Sequence, residues 1–167
     1  QKDLTKMCAD YNGLPTSVGV LWNWDDTGWS GNNSGDACSL FDTDGDGNAN
    51  YSLCVIVKNT PASFDSMVLY SCGDASSNRC TSPIVVLPTS SGSTCDASVQ
   101  PDDPFPAGNN YPNDTVAECT IALADVGGSA AQLIDVCSYP SQQPNSDPSD
   151  CIIFQPISGK LQADKVL

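Results

Sequence analysis

Residues 42–50 read DTDGDGNAN, so that Asp42, Asp44, Asp46, Asn48 and Asn50 return at every second position. Ionised carboxylates a few ångströms apart repel one another unless a cation lies among them. Short acids and amides offer oxygen alone, the ligand set of a hard divalent ion. Counted from Asp42, the run supplies the oxygens of positions 1, 3 and 5, the glycine of position 6 (Gly47), and Asn48 and Asn50 at positions 7 and 9 of an EF-hand-type loop. Position 12 is Leu53, where such a loop places a bidentate glutamate, so further oxygen must come from elsewhere. Asp25, Asp26 and Asp36, in NWDDTGWSGNNSGDAC, are the nearest acids. Calcium fits better than magnesium, because it accepts six to eight oxygens in flexible geometry.

Other chemistry finds less to work with. The chain has no histidine, which excludes Ser-His-Asp hydrolysis and histidine-ligated metal catalysis. Two aspartates in an apolar pocket are the minimum for a glycosidase, but with nineteen aspartates such a pair carries no information. The expectation is a protein that is not an enzyme. Asp114 and Asp125, at the two ends of a predicted strand, and Asp96, Asp102 and Asp103 are further acid groupings of generic spacing. Trp22 and Trp24 alternate onto one face of a predicted strand and read as core. Trp29, in a loop of Gly, Ser and Asn, reads as the exposed ring on which a carbohydrate would stack.

Nine cysteines with no close pair of the metal-binding or thioredoxin kind imply disulfides and an oxidising, extracellular compartment. The candidate pairs are Cys72 with Cys80, Cys137 with Cys151, Cys95 with Cys119, and Cys38 with Cys54, leaving Cys8, and spacing alone leaves other connectivities open. Closing a loop of about 15 residues stabilises by roughly 3 kcal/mol through loss of unfolded-chain entropy.

The elements that must hold these residues read as strands. Asp, Asn, Ser, Gly and Pro dominate, and they favour turns over helices. One short helix is predicted in DLTKMCADY (3–11), where Leu4, Met7, Cys8 and Tyr11 have helical spacing. Strands are predicted at 17–24, 51–57, 66–72, 82–87, 115–123, 131–139 and 151–154, separated by turn-formers such as NTPAS, GDASSN and PNSDPS. About seven strands imply an all-β, antiparallel β-sandwich of Ig-like or jelly-roll-like type, with long loops stabilised by calcium and disulfides. Residues 88–114, rich in proline, form the longest weakly patterned stretch. The 167 residues fit one extracellular domain, 1–167, whose end segments 1–12 and 158–167 are expected to be tied down, either within the domain or on neighbouring subunits.

A net charge of −14 disfavours nucleic acid and anionic membrane surfaces, and no apolar stretch of about 18 residues spans a membrane. Four of the six bases lie in residues 1–6 and 160–167, so the ends oppose an acidic body. Identical chains with that distribution attract one another.

At NWDDTGWSGNNSGDACSLFDTDGDGNANYSLCV, and again at LYSCGDASSNRCTSP and CSYPSQQPNSDPSDC, the chain resembles a cysteine-rich module of large secreted bacterial surface proteins, adhesin-like in kind. The resemblance covers roughly residues 18–155. It implies a cell-surface, calcium-stabilised, non-catalytic role. The expected function is a secreted calcium-binding structural subunit of an extracellular or cell-surface assembly, its partners being copies of itself, in a homopolymer or filament joined by strand addition, or other surface proteins. A carbohydrate-binding or adhesive module, or an Asp-based glycoside hydrolase, is the alternative.

Overall fold

The computed structural model describes residues 2–86, 92–100, 113–140 and 142–154. Ten strands are present among them: β1 (Leu4–Asp10), β2 (Ser17–Trp24), β3 (Gly35–Asp42), β4 (Tyr51–Lys58), β5 (Ser63–Ser71), β6 (Ile84–Val85), β7 (Thr94–Gln100), β8 (Asp114–Ala122), β9 (Gln132–Ser138) and β10 (Asp150–Ile153). All pairings are antiparallel, in the order β1-β2-β8-β7-β5-β4-β3-β9-β10, with β6 on β5. Strands β7 and β5 share only the pair Ser63–Ser98, and there the ladder divides into two sheets packed as a sandwich. The opposite side is closed by polar contacts rather than a ladder. The Leu4 amide donates to Asp150 Oδ2 at 2.8 Å, and Ser138 Oγ donates to the Lys2 carbonyl.

The core follows from period-two alternation. Val18, Val20, Trp22 and Trp24 of β2, Ala117, Cys119 and Ile121 of β8, and Leu53, Val55 and Val57 of β4 point inward and are buried. A smaller cluster of Cys38, Leu40, Ala49, Cys54, Cys137 and Tyr139 covers the other face of β3, β4 and β9. Those three strands are therefore apolar on both faces, whereas β1 and β7 alternate with solvent.

The predicted helix over 3–11 is a strand. Pairing with β2, Leu4 against Trp24 through Asp10 against Gly19, overrides a weak helical spacing, and Lys6, Cys8 and Asp10 alternate outward. Residues 4–10 pair with β2 of their own chain. Two strands escaped prediction, β3 and β7: GDACSLFD holds no β-branched residue, and TCDASVQ stands in the proline-rich stretch. The 82–87 strand shortens to Ile84–Val85. The 158–167 tail lies outside the described residues.

The four disulfides are Cys38–Cys54, Cys72–Cys80, Cys95–Cys119 and Cys137–Cys151, and Cys8 is an exposed thiol. Register explains three of them, because Cys38 faces Cys54, Cys95 faces Cys119 and Cys151 faces Cys137 across paired strands. Cys38 also faces Cys137, so Cys54, Cys38, Cys137 and Cys151 form one row across β4, β3, β9 and β10. This row anchors the strands that flank the acidic turn.

Candidate metal centre

The turn between β3 and β4 begins where the Phe41–Tyr51 pair ends the ladder. One carboxylate oxygen from each of Asp42, Asp44 and Asp46 lies within 4.8 Å of the others, and Asp42 is buried while Asp44 and Asp46 are exposed. The backbone organises them. Asp42 Oδ1 accepts from the amides of Asp44 at 3.0 Å and Gly45 at 2.7 Å, and Asp42 Oδ2 accepts from the Gly47 amide at 2.8 Å. Burial alone would push the Asp42 carboxyl up, but the Gly45, Gly47 and Asp44 amides together hold it below the ordinary carboxylate range. It therefore stays ionised. Gly45 and Gly47 have φ of 85° and 87°, the left-handed backbone that lets the chain fold back over Asp42.

The amides of the run take supporting positions. Asn48 donates from its backbone to Asp46 Oδ1 at 2.7 Å and from Nδ2 to Asp46 Oδ2 at 2.9 Å. Asn50 Oδ1 accepts from the Thr43 amide at 2.6 Å and its hydroxyl at 2.9 Å, closing the neck of the turn.

A further carboxylate arrives from another segment. Asp74 lies in the Cys72–Cys80 loop, which is tied to the turn by Ala49 N to Ser76 O at 2.9 Å and Cys72 N to Asn50 O at 2.8 Å. Its exposed carboxyl is pushed up by partial desolvation and by the fields of Asp44, Asp46 and Asp42, against a lowering influence of the Asn50 side chain. Four carboxylates thus share one region, and their mutual repulsion is the property a divalent cation relieves. Sequence reasoning missed Asp74, since only strand pairing brings CGDASSNRC beside DTDGDG.

The acids expected to complete the site stand elsewhere. Asp36 lies six residues before Asp42 on β3, about 20 Å away along a strand. Its Oδ2 accepts from Ser34 Oγ at 2.7 Å and pairs with Lys2 Nζ at 3.4 Å. Asp25 and Asp26 follow β2. Asp26 Oδ1 accepts the amides of Thr27 at 2.6 Å and Gly28 at 3.1 Å.

Trp29 is corrected as well. It is 1% exposed, meets Trp24 edge-on with centroids 6.0 Å apart, and packs over Gly35 so closely that an added Cβ there would stand 2.5 Å from the indole. It offers no face for a sugar. The Trp29 backbone amide donates to the Asn59 carbonyl at 2.7 Å in an isolated antiparallel bridge. Of the other groupings, Asp125 Oδ2 accepts from Ser93 Oγ at 2.5 Å, Asp96 is exposed, and Asp102 and Asp103 lie outside the described residues.

No family profile, no curated protein and no solved structure matches this chain. No helix among the described residues is long and apolar enough to cross a membrane.

Proposed function

We infer that this chain is a secreted, calcium-braced, non-catalytic β-sandwich that serves as a structural subunit of an extracellular assembly. The observation that carries this reading is the convergence of Asp42, Asp44 and Asp46 within 4.8 Å on a turn already shaped by its own backbone. Oxygen-only ligands on a preformed turn suit calcium, and an ion bound only by the folded chain stabilises it. Four disulfides fit an oxidising compartment.

Self-association has its own support. The bases gather at the chain ends against an acidic body. Ile153 on the last strand of the ladder is 68% exposed, and Ile84 and Val85 on β6 are 68% and 46% exposed. A strand added at such an edge joins subunits through main-chain hydrogen bonds, and a head-to-tail contact that does not close yields a filament. With Trp29 in the core, the carbohydrate-binding reading loses the ring it stood on.

The test is light scattering on the oxidised full chain, with calcium and then with a chelator. Large species that form with calcium and dissociate on chelation are expected. A monomer under every condition refutes the assembly, and a calcium titration without heat or stability change refutes the ion.

A further inference from the structure

We propose that the row of sulfurs across β4, β3, β9 and β10 is a thiol-exchange site. Cys151 takes up a small cationic thiol as a mixed disulfide, and the Cys137 sulfur released inside the sheet displaces Cys54 from Cys38. The site concerns the disulfides alone and does not depend on an ion in the turn.

Strand register builds the row. Cys54 faces Cys38, Cys38 faces Cys137, and Cys137 faces Cys151 across successive antiparallel pairs. Facing residues project to the same side of a sheet, and all four pack in the second apolar cluster. Bonds join Cys54 to Cys38 and Cys137 to Cys151, while the middle neighbours, Cys38 and Cys137, are not bonded to each other. Cys137 therefore stands behind Cys38, on the side opposite Cys54. Thiol–disulfide exchange uses that approach, because the attacking, central and leaving sulfurs line up as one bond forms and the other breaks. Beyond Cys54 the next facing residue is Val68, so the row ends there.

Access decides where the row opens. Cys38, Cys54 and Cys137 are 1%, 4% and 0% exposed, whereas Cys151, on the last strand of the ladder, is half-buried. An external thiol therefore meets Cys151, and Cys137 is the leaving group. Asp150, whose Oδ1 accepts the Cys151 amide at 2.8 Å, and the net charge of −14 draw a cationic thiol there. In the first step the thiol loses its proton to solvent, its sulfur bonds to Cys151, and Cys137 leaves as a thiolate. In the second, Cys137 bonds to Cys38, and the electron pair of the Cys38–Cys54 bond leaves on Cys54, which takes up a proton. One thiol enters, one protein thiol appears, and the number of disulfide bonds is unchanged.

The free sulfur is better accommodated at Cys54 than at Cys137. Ser52 Oγ lies 3.3 Å from Cys54 Sγ, and Cys54 and Cys38 line a cleft with about 10 Å³ of free space, the room of one water. Cys137 lines no part of that cleft. Exchange also removes the bond at the base of the hairpin that carries the acidic turn.

The test treats the oxidised full chain with cysteamine until a single adduct is present, quenches it in acid, and alkylates it with N-ethylmaleimide in acidic denaturant. Peptide mapping by mass spectrometry then locates every group. Cysteamine is expected on Cys151, a Cys38–Cys137 cross-link should appear, and maleimide should favour Cys54 over Cys137 by roughly threefold or more. Cys8 is labelled throughout. Maleimide on Cys137 with the Cys38–Cys54 bond intact overturns the site. So does label spread over all the disulfide cysteines, which marks unfolding instead of exchange. Cys151→Ser puts the same question without a reagent. Its unpaired thiol is expected at Cys54, and a thiol that stays on Cys137 overturns the displacement.

Discussion

The acidic turn at 42–50 and the polar junction of Thr5, Asn23 and Asp114 treat the same functional groups in opposite ways. In the turn, neighbouring residues of one segment supply the oxygens, backbone amides set their directions, and Asp44 and Asp46 remain in solvent. At the junction, three strands contribute one side chain each, and Asp114 has no contact with water. Exposed charges are stabilised by solvent whether or not a ligand is present. Buried ones depend on every partner being in place. The turn is therefore a site the fold can leave empty at small cost, while the junction is part of the fold.

The largest effect that would break this contrast comes from truncating both regions in calcium-free buffer. Asp114→Ala strands the Thr5 and Asn23 donors and is expected to cost about 3 kcal/mol, against less than about 0.5 kcal/mol for Asp44→Ala. With calcium at about 100 times its dissociation constant, Asp44→Ala should forfeit about 2.7 kcal/mol. Denaturant titrations with and without the ion measure both. Equal losses without calcium would dissolve the distinction.

Asp135 sharpens the comparison as a buried acid with poorer company. It is 6% exposed on β9, and burial pushes its carboxyl up to about 6 against the single lowering influence of the Phe154 amide. A raised folded-state value means that its contribution favours folding at low pH and is lost as pH rises through about 6. At pH 7 the charge therefore opposes folding. Asp135→Asn should stabilise by up to about 2 kcal/mol at pH 7, and the gain should vanish near pH 4, as read from paired melting curves. A constant difference across that range would show that the carboxyl does not titrate as its surroundings require.

The smallest effect tests the turn's backbone. Nothing crowds a Cβ at Gly47, but its φ of 87° is unfavourable for alanine, so Gly47→Ala should cost about 1 kcal/mol and weaken calcium binding. Unchanged calcium affinity would mean that the Gly47 amide does not shape the site.

Much of the architecture was legible from local pattern. The strand predicted at 17–24 has those bounds, because Val18, Val20, Trp22 and Trp24 alternate cleanly. Residues 51–57 and 151–154 lie within one residue of observed strands at each end. Strand β3 escaped because a segment buried on both faces shows no alternation, and β1 because seven residues fit two periods about equally well. The candidate disulfide pairs are the observed ones, but spacing left the connectivity open, and it is strand register that sets Cys38 against Cys54, Cys95 against Cys119 and Cys137 against Cys151.

What the sequence determined by itself is whatever lies within a few residues along the chain. The row of oxygens from Asp42 to Asn50, the glycines that bend it, and the alternation of the strands all act at a range where covalent connection sets distance. What only the tertiary structure decided is which distant groups meet: Asp74 beside the turn, Trp29 inside the core, and Thr5, Asn23 and Asp114 at one junction. The physical reason is that strand pairing between remote segments is selected by the burial of whole faces, and no local spacing records which segment will lie next to which.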